Sequence, residues 1–238
     1  MGDGAPGKLV GAGRSADVYD IGDRRVLRRY RDGRDPARVD AEAQVMRVAR
    51  TFGVPVPEVF DVSGTDIVME RVTGPTMLDT VARRPWTVDA QARLLARLHE
   101  LVHQVPAASL PDMVGPLPFG TPQRETSVLL HRDLHPQNVM LTANGPVIID
   151  WEGALFGPAA ADIAMTWIII GFSDVPLPRF QALAARGMQV LFTRAFMRAV
   201  GPLDDSWRQL AVRHRLADPH LLPAEAARLE KLALPGRD

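Results

Sequence analysis

Residues 128–151 read VLLHRDLHPQNVMLTANGPVIIDW, and four of these side chains could do chemistry together: His131, Asp133, Asn138 and Asp150. Two carboxylates and a carboxamide make a hard-oxygen donor set, which suits magnesium or another oxygen-ligated cation. Asn144-Gly145 lies between the apolar runs NVML and PVIID. An Asn-Gly pair predicts a two-residue hairpin turn, because both residues tolerate positive φ. A ribbon turning there folds Asp150 back beside Asn138 and Asp133. His135, two residues past Asp133, reads as a loop-packing residue rather than a metal ligand.

These residues need elements to position them. From Lys8 to Arg31 apolar and polar residues alternate around the turn Ile21-Gly22-Asp23, which predicts three short antiparallel strands, KLVGAG, SADVYDI and RRVLRRY. A helix is expected over 34–52, opened by Asp35-Pro36, with Val39, Ala43, Met46 and Ala49 on one face and Gly53 closing it. Val54-Pro55-Val56-Pro57 forces an extended connector, and strands follow near 58–62 and 66–70. Val72-Thr73-Gly74-Pro75 breaks the pattern, so a lobe boundary is expected there, dividing the chain into 1–72 and 73–238.

After that boundary the periodicity is helical, at 77–83, 88–103, 159–170, 178–200, 203–216 and 223–232. Pro106, Pro111, Pro116, Pro118 and Pro122 mark 105–122 as a constrained loop outside the core, and as a candidate wall of an acceptor site. The Gly-rich residues 1–7 are expected to be disordered. The plan is α+β: a small antiparallel-sheet lobe followed by a larger, mainly helical one.

Composition narrows the function classes. The 238 residues carry 28 Lys+Arg against 28 Asp+Glu, so no global field draws the chain to nucleic acid or an anionic membrane. Cys is absent, which excludes disulfides and thiolate metal sites and fits a reducing cytoplasm. The start of the chain lacks a signal-peptide pattern, and the apolar run 163–172 is too short to span a bilayer. A soluble cytoplasmic enzyme or binding domain is the expectation.

Two further fragments are ambiguous alone. Gly11-Ala12-Gly13-Arg14-Ser15-Ala16 could bring backbone N–H groups close to phosphates, or could be an ordinary hairpin turn. Arg28, on the third strand, could be a phosphate-facing cation fixed by Glu42 of the next helix, or a strand-edge charge beside Arg29.

The order of these pieces resembles the aminoglycoside phosphotransferase and choline kinase-like family, relatives of the protein kinases. HRDLHPQN matches the family's H-x-D-x-x-x-x-N catalytic loop, IIDWE its metal-binding segment, and GPAAADIA its Gly-x-x-x-x-Asp-Leu-Ala helix start, with Asp162 at the acidic position. The likeness covers residues 8 to about 171. It implies a two-lobed protein-kinase-like fold and an enzyme that moves the γ-phosphate of ATP, with Mg2+, to a hydroxyl of a small molecule. By the same resemblance Asp133 is the catalytic acceptor or orienter of the substrate proton, and Asn138 and Asp150 hold the metal. Gly11, Gly13 and Ser15 belong to the phosphate loop, Arg28 contacts the phosphates and pairs with Glu42, and Glu70 and Val72 bond the adenine edge. His131 and Asp162 brace the catalytic loop.

The chain departs from the general pattern in two places. Arg28 stands where kinases have Lys and forks differently, and Ala16 replaces the third glycine. A nucleotide-binding module without catalysis is therefore the alternative. Eleven residues separate Asp150 from Asp162, too few for a phosphorylatable activation loop, and no Ala-Pro-Glu segment follows; both favour a small-molecule acceptor. Residues 171–238 carry ten Lys/Arg and seven Asp/Glu, which weakens the reading of a polycationic antibiotic. Trp167, Phe172, Phe180, Phe192, Phe196 and Trp207 could box a quaternary ammonium, but at helical spacing they read better as core.

Overall fold

The computed structural model describes residues 6–13, 15–31, 33–118, 122–173, 179–218 and 221–233. Residues 1–5, Arg14 of the glycine loop, Pro178 at the expected helix start and the Phe180 side chain lie outside the described residues.

The alternating start of the chain folds into β1 (Lys8–Ala12), β2 (Ala16–Gly22) and β3 (Arg25–Tyr30), and two later strands, β4 (Val59–Ser63) and β5 (Asp66–Glu70), complete the sheet. Its order is β1-β2-β3-β5-β4, with every neighbouring pair antiparallel. Arg28 pairs with Val18 on one side and Ile67 on the other, so it sits on the central strand. Helix α1 (Pro36–Thr51) starts where Asp35 accepts a hydrogen bond from the Ala37 amide at 2.9 Å. Val39, Ala43, Met46 and Ala49 are all buried, and Glu42 is buried with them because three- and four-residue spacings share one face.

The helical part begins with α2 (Met77–Arg83), capped by a reciprocal Thr76–Asp79 box, and α3 (Val88–Val102), which buries Ala92, Leu95, Leu98 and Val102. Four short strands follow: β6 (Val128–Leu130), β7 (Val139–Thr142), β8 (Gly145–Ile148) and β9 (Leu155–Gly157). β7 pairs with β8, and β6 with β9; β9 has no counterpart in the sequence reading, being only three residues long. Helices α4 (Ala159–Phe172), α5 (Arg179–Val200), α6 (Asp205–Leu216) and α7 (Pro223–Ala233) end the chain. One core runs from α1 and the sheet through α3 to Phe192 and Phe196 of α5, and a second joins α4, α6 and α7 around Ile168, Val212 and Leu229. No helix among the described residues is long and apolar enough to cross a membrane.

Two expectations are corrected. The β7–β8 turn is centred on Ala143-Asn144, because Thr142 pairs with Gly145. Gly145 itself takes φ +119°, while Asn144 does not enter the positive region. The Thr142 hydroxyl, donating to the Gly145 carbonyl and accepting from the Asn144 amide, competes for the turn and sets the register one residue earlier. The proline-rich loop, in turn, is not outside the core: Ala107, Leu110, Val114 and Leu117 are buried. Arg124 holds it by donating to the carbonyls of Ala107, Leu110, Pro111 and Val114 at 2.8–3.2 Å.

Candidate active site

Between the sheet and the helical part lies a cleft of about 1870 Å³, more than the roughly 300–1,000 Å³ of a single small-molecule site. Gly11, Gly13, Ser15, Arg28, Glu70 and Val72 line one side, and Asp133, Asn138 and Asp150 the other. Seven of the nine come from turns, strand ends or loops; Gly11 lies within β1 and Arg28 projects from the middle of β3.

The β7–β8 ribbon brings the acids together. Val139 pairs with Ile148, and the next amide, Ile149, donates to the Asn138 carbonyl at 3.0 Å, so Asn138 and Asp150 sit at adjoining strand ends. Asn138 Nδ2 donates to Asp133 O at 2.8 Å and to Asp133 Oδ2 at 2.9 Å. Both amide hydrogens are thereby committed, which leaves Asn138 Oδ1 as an acceptor for a hard cation. Burial works to raise the Asp133 pKa, but His135, His131 and the Asn138 bond outweigh it and hold the carboxyl below the usual range. His135 Nε2 lies 3.4 Å from Asp133 Oδ1, so this histidine does more than pack the loop. Asp150 has φ +66° and Arg132 φ +69°; such left-handed non-glycine residues cost roughly 1–3 kcal/mol each and persist only where neighbours hold them.

Arg28 ties the two sides of the cleft. Its Nη1 meets Glu42 Oε1 at 2.9 Å, and its Nη2 meets Asp150 Oδ1 at 2.8 Å and Glu152 Oε2 at 3.6 Å. Burial opposes its charge, yet Glu42, Tyr30 and Asp150 together raise its pKa above an ordinary arginine's. Glu42 does not line the cleft; it is 4% exposed and stands behind Arg28, where it also accepts from the Tyr30 hydroxyl. Burial pushes the Glu42 carboxyl up, against the pull of Arg28 and Tyr30.

Sequence reasoning missed Glu152. Ser15 Oγ donates to its Oε2 at 2.5 Å, and Arg34 Nη1 approaches its Oε1 at 2.7 Å. The acid was visible in IIDWE, but nothing in the sequence pairs it with a hydroxyl 137 residues away. Trp151 between the two acids is 1% exposed, and its Nε1 donates to the Ile148 carbonyl.

The far end of the cleft is lined by Ile169, Ile170, Met188 and Phe192, with Gln189 and Arg186 among them. The aromatic residues form no box there among the described residues: Phe196 is fully buried, Trp167 and Phe172 meet edge to face with ring centroids 5.3 Å apart, and of the set only Phe192 lines the cleft. The proline-rich loop contributes no described wall to the cleft, because its buried side chains anchor it against β6 and β9 instead.

At the opposite edge, the Glu70 amide donates to the Glu58 carbonyl and the Arg71 amide to Arg24, both at 2.8 Å, which fixes the strand end before Val72. Beneath the loop 131–138, Asp162 of α4 accepts from the His131 amide at 3.2 Å and the Arg132 amide at 2.6 Å. Burial would raise its pKa, but His103 and His99 hold it well below the usual range. His131 is neutral: Nε2 faces the Ile149 carbonyl at 3.1 Å and must donate, while Nδ1 accepts from the Asp133 amide. Burial moves its pKa down.

The model of the phosphotransferase enzyme family matches residues 6–120 and 102–200. No curated protein matches the chain in sequence. Among solved structures, a gentamicin complex of APH(2")-IIa aligns with a TM-score of 0.61 at 12% identity, over 96% of this chain and 91% of that one. A choline/ethanolamine kinase family protein from Mesorhizobium loti aligns at 0.58 and 17% identity, over 96% and 88%. Amicoumacin kinase hAmiN, in complex with AMP-PNP and Ca2+, aligns at 0.52 and 15% identity, over 94% and 86%. These likenesses show a shared protein-kinase-like fold.

Proposed function

The chain belongs to the phosphotransferase enzyme family, and we propose that it transfers the γ-phosphate of ATP to a hydroxyl of a small molecule with magnesium as cofactor. The observation that carries this reading is that Asp133, Asn138 and Asp150 face Arg28 and the glycine loop across one cleft. The donor set fits the ion: Asn138 and Asp150 are the residues that would hold it, and both offer hard oxygens. Bound magnesium offsets the charge of the transferring phosphoryl group.

The chain's own residues supply the rest. Asp133, ionised at neutral pH, orients the substrate hydroxyl and accepts its proton. Arg28, fixed by Glu42, lies against the phosphates, and Gly11, Gly13 and Ser15 close over them. The Glu70 carbonyl and Val72 amide bond the adenine edge. The short connection from Asp150 to Asp162 supports a small molecule as acceptor, and the solved neighbours named above include enzymes acting on such acceptors. We place the lobe boundary at 72/73 and the enzyme in the cytoplasm, where its nucleotide is abundant.

The test is ATP turnover against a panel of amino alcohols, sugars and antibiotics, with Asp133→Asn as control. Turnover with one acceptor class is expected, and Asp133→Asn should lower it by roughly 10²–10⁴-fold with nucleotide affinity kept. An absence of turnover over the whole panel, with no binding of ATP, sinks the reading. The 2.8 Å contact of Arg28 with Asp150 favours a second one, nucleotide binding without catalysis, since a guanidinium there competes for a proposed metal ligand. ATP binding without turnover in both the natural protein and Arg28→Lys would establish that alternative.

A further inference from the structure

Helix α4 is apolar all round, and it borders the cleft. Its sequence AAADIAMTWIIIGF has Asp162 as its one charged residue. Thr166 fixes where the helix stands: its Oγ1 donates to the carbonyl of Leu134, the residue after Asp133, at 2.7 Å. Ile169 and Ile170 follow three and four residues later, on the same helix face and about 5 Å along the axis. Both line the cleft. An apolar wall therefore begins about one helical turn from the residue proposed to receive the acceptor's proton.

Helix α5 extends that wall. Met188 and Phe192, four residues apart and so on one face, line the same end of the cleft. Ile170 and Phe192 belong to one buried cluster, and Met188 packs against it. Ile169 and Met188 are half-buried, so each keeps surface for a ligand, and a methionine adapts to irregular shapes. The Gln189 amide there is engaged with protein: it accepts from Arg186 Nη1 at 2.7 Å and donates to the Ser173 carbonyl at 2.9 Å. Among the described residues of this end, none is acidic. The cleft volume of about 1870 Å³ leaves room for an acceptor beside a nucleotide.

We propose that this end of the cleft is an apolar acceptor subsite, which takes a neutral alcohol with a hydrocarbon or aromatic body and disfavours cationic acceptors. This rests on the phosphotransferase reading and names its substrate class. Burying such a body against Ile169 and Met188 removes apolar surface from water, whereas an ammonium placed there loses its hydration with no described carboxylate to replace it. In the transfer, the alcohol oxygen bonds to the γ-phosphorus and the bond from that phosphorus to the β,γ-bridging oxygen breaks. Asp133 takes the hydroxyl proton, and ADP leaves.

The test uses the full chain with straight-chain primary alcohols, naphthylethanol and choline as probes. With ATP and magnesium, kcat/KM is expected to rise about fourfold for each methylene that the subsite buries along the alcohol series. Choline should fall at least about tenfold below naphthylethanol. Met188→Glu should lower kcat/KM for naphthylethanol at least about tenfold with KM for ATP within about twofold, while Met188→Leu, close in volume, keeps it. Calorimetry reads the same subsite without turnover. Naphthylethanol should bind beside saturating AMP-PNP with a negative heat-capacity change, and Met188→Glu should abolish that binding. If Met188→Glu does not fold, Ile169→Thr takes its place in the same titration, with weakened binding expected. A choline kcat/KM equal to or above that of naphthylethanol overturns the proposal while keeping the phosphotransferase reading. So does a failure of naphthylethanol to bind, its displacement by AMP-PNP, or binding that the folded variants leave unchanged. Absence of ATP turnover with every acceptor counts against the phosphotransferase reading, and calorimetry still decides the apolar subsite.

Discussion

One nitrogen of the Arg28 guanidinium meets Glu42 Oε1 at 2.9 Å, and the other meets Asp150 Oδ1 at 2.8 Å. A residue on the central strand of the sheet therefore joins a buried helix carboxylate to the acid that ends the β7–β8 ribbon. The fork of the guanidinium presents a separate nitrogen to each carboxylate, where an ammonium would have to reach both from a single atom.

Removing that fork should cost stability in a pH-dependent way. Arg28→Met leaves Glu42 buried beside Tyr30 without its cation, and breaking a buried pair costs about 3–5 kcal/mol. The Glu42 carboxyl already titrates above its ordinary range, and the variant pushes it further up. A carboxyl whose folded pKa is raised destabilises the fold fully above that pKa, and the penalty fades as pH falls from it toward the unfolded value. Urea unfolding should thus show the largest deficit near neutrality and a smaller one toward pH ~5; a deficit that grows on acidification would refute this.

Asp162 has the opposite sign. His103 and His99 overcome the effect of burial and depress its pKa, so its contribution is present above the ordinary Asp range, about pH 4, and is lost as pH falls through the depressed value. Asp162→Asn should destabilise by about 2 kcal/mol or more at pH 7, where charge-assisted bonds to two backbone amides are lost. The gap to the natural protein should narrow below pH ~4. Equal gaps at both pH values in chemical denaturation would mean that the charge is immaterial.

Gly74 permits the linker to lie against β7. A Cβ built there would fall 2.2 Å from the Leu141 carbonyl oxygen, at φ +151°. Gly74→Ala is expected to destabilise by about 1–3 kcal/mol, seen as a lower thermal midpoint. An unchanged midpoint would show that the linker can move aside at no cost.

Arg124 offers a test away from the cleft. Replacing it with Ala strands four carbonyls that it now satisfies, at about 1–3 kcal/mol for each that water cannot reach. Arg124→Lys should recover little, because one ammonium has three donors and no planar fork. Proteolysis within 105–118 should accelerate in both variants while nucleotide affinity is kept; loss of nucleotide binding would tie this loop to the cleft after all.

Much of the site could be read before any coordinates. HRDLHPQN and IIDWE carry their spacing in the sequence, and the alternation of residues 8–31 and the capped helix after Asp35 placed Arg28 and Glu42 on neighbouring elements. Local signals sufficed there because strand alternation, helix periodicity and caps act within a few residues. The Ala143-Asn144 turn failed that rule, since the Thr142 hydroxyl outcompeted the Asn-Gly preference.

What only the tertiary structure decided are the contacts between residues far apart in the chain. His99 lies on the buried stripe of Ala92, Leu95 and Val102, a legible oddity, yet its partners Asp162 and Thr166 belong to another helix. Ser15 finds Glu152, and Arg28 finds Asp150, only once the sheet closes on the helical part. Such pairs are set by how whole elements pack, which depends on the sum of many apolar contacts rather than on any motif. The sequence by itself determined the kind of chemistry and the family; packing chose which charges meet across the cleft.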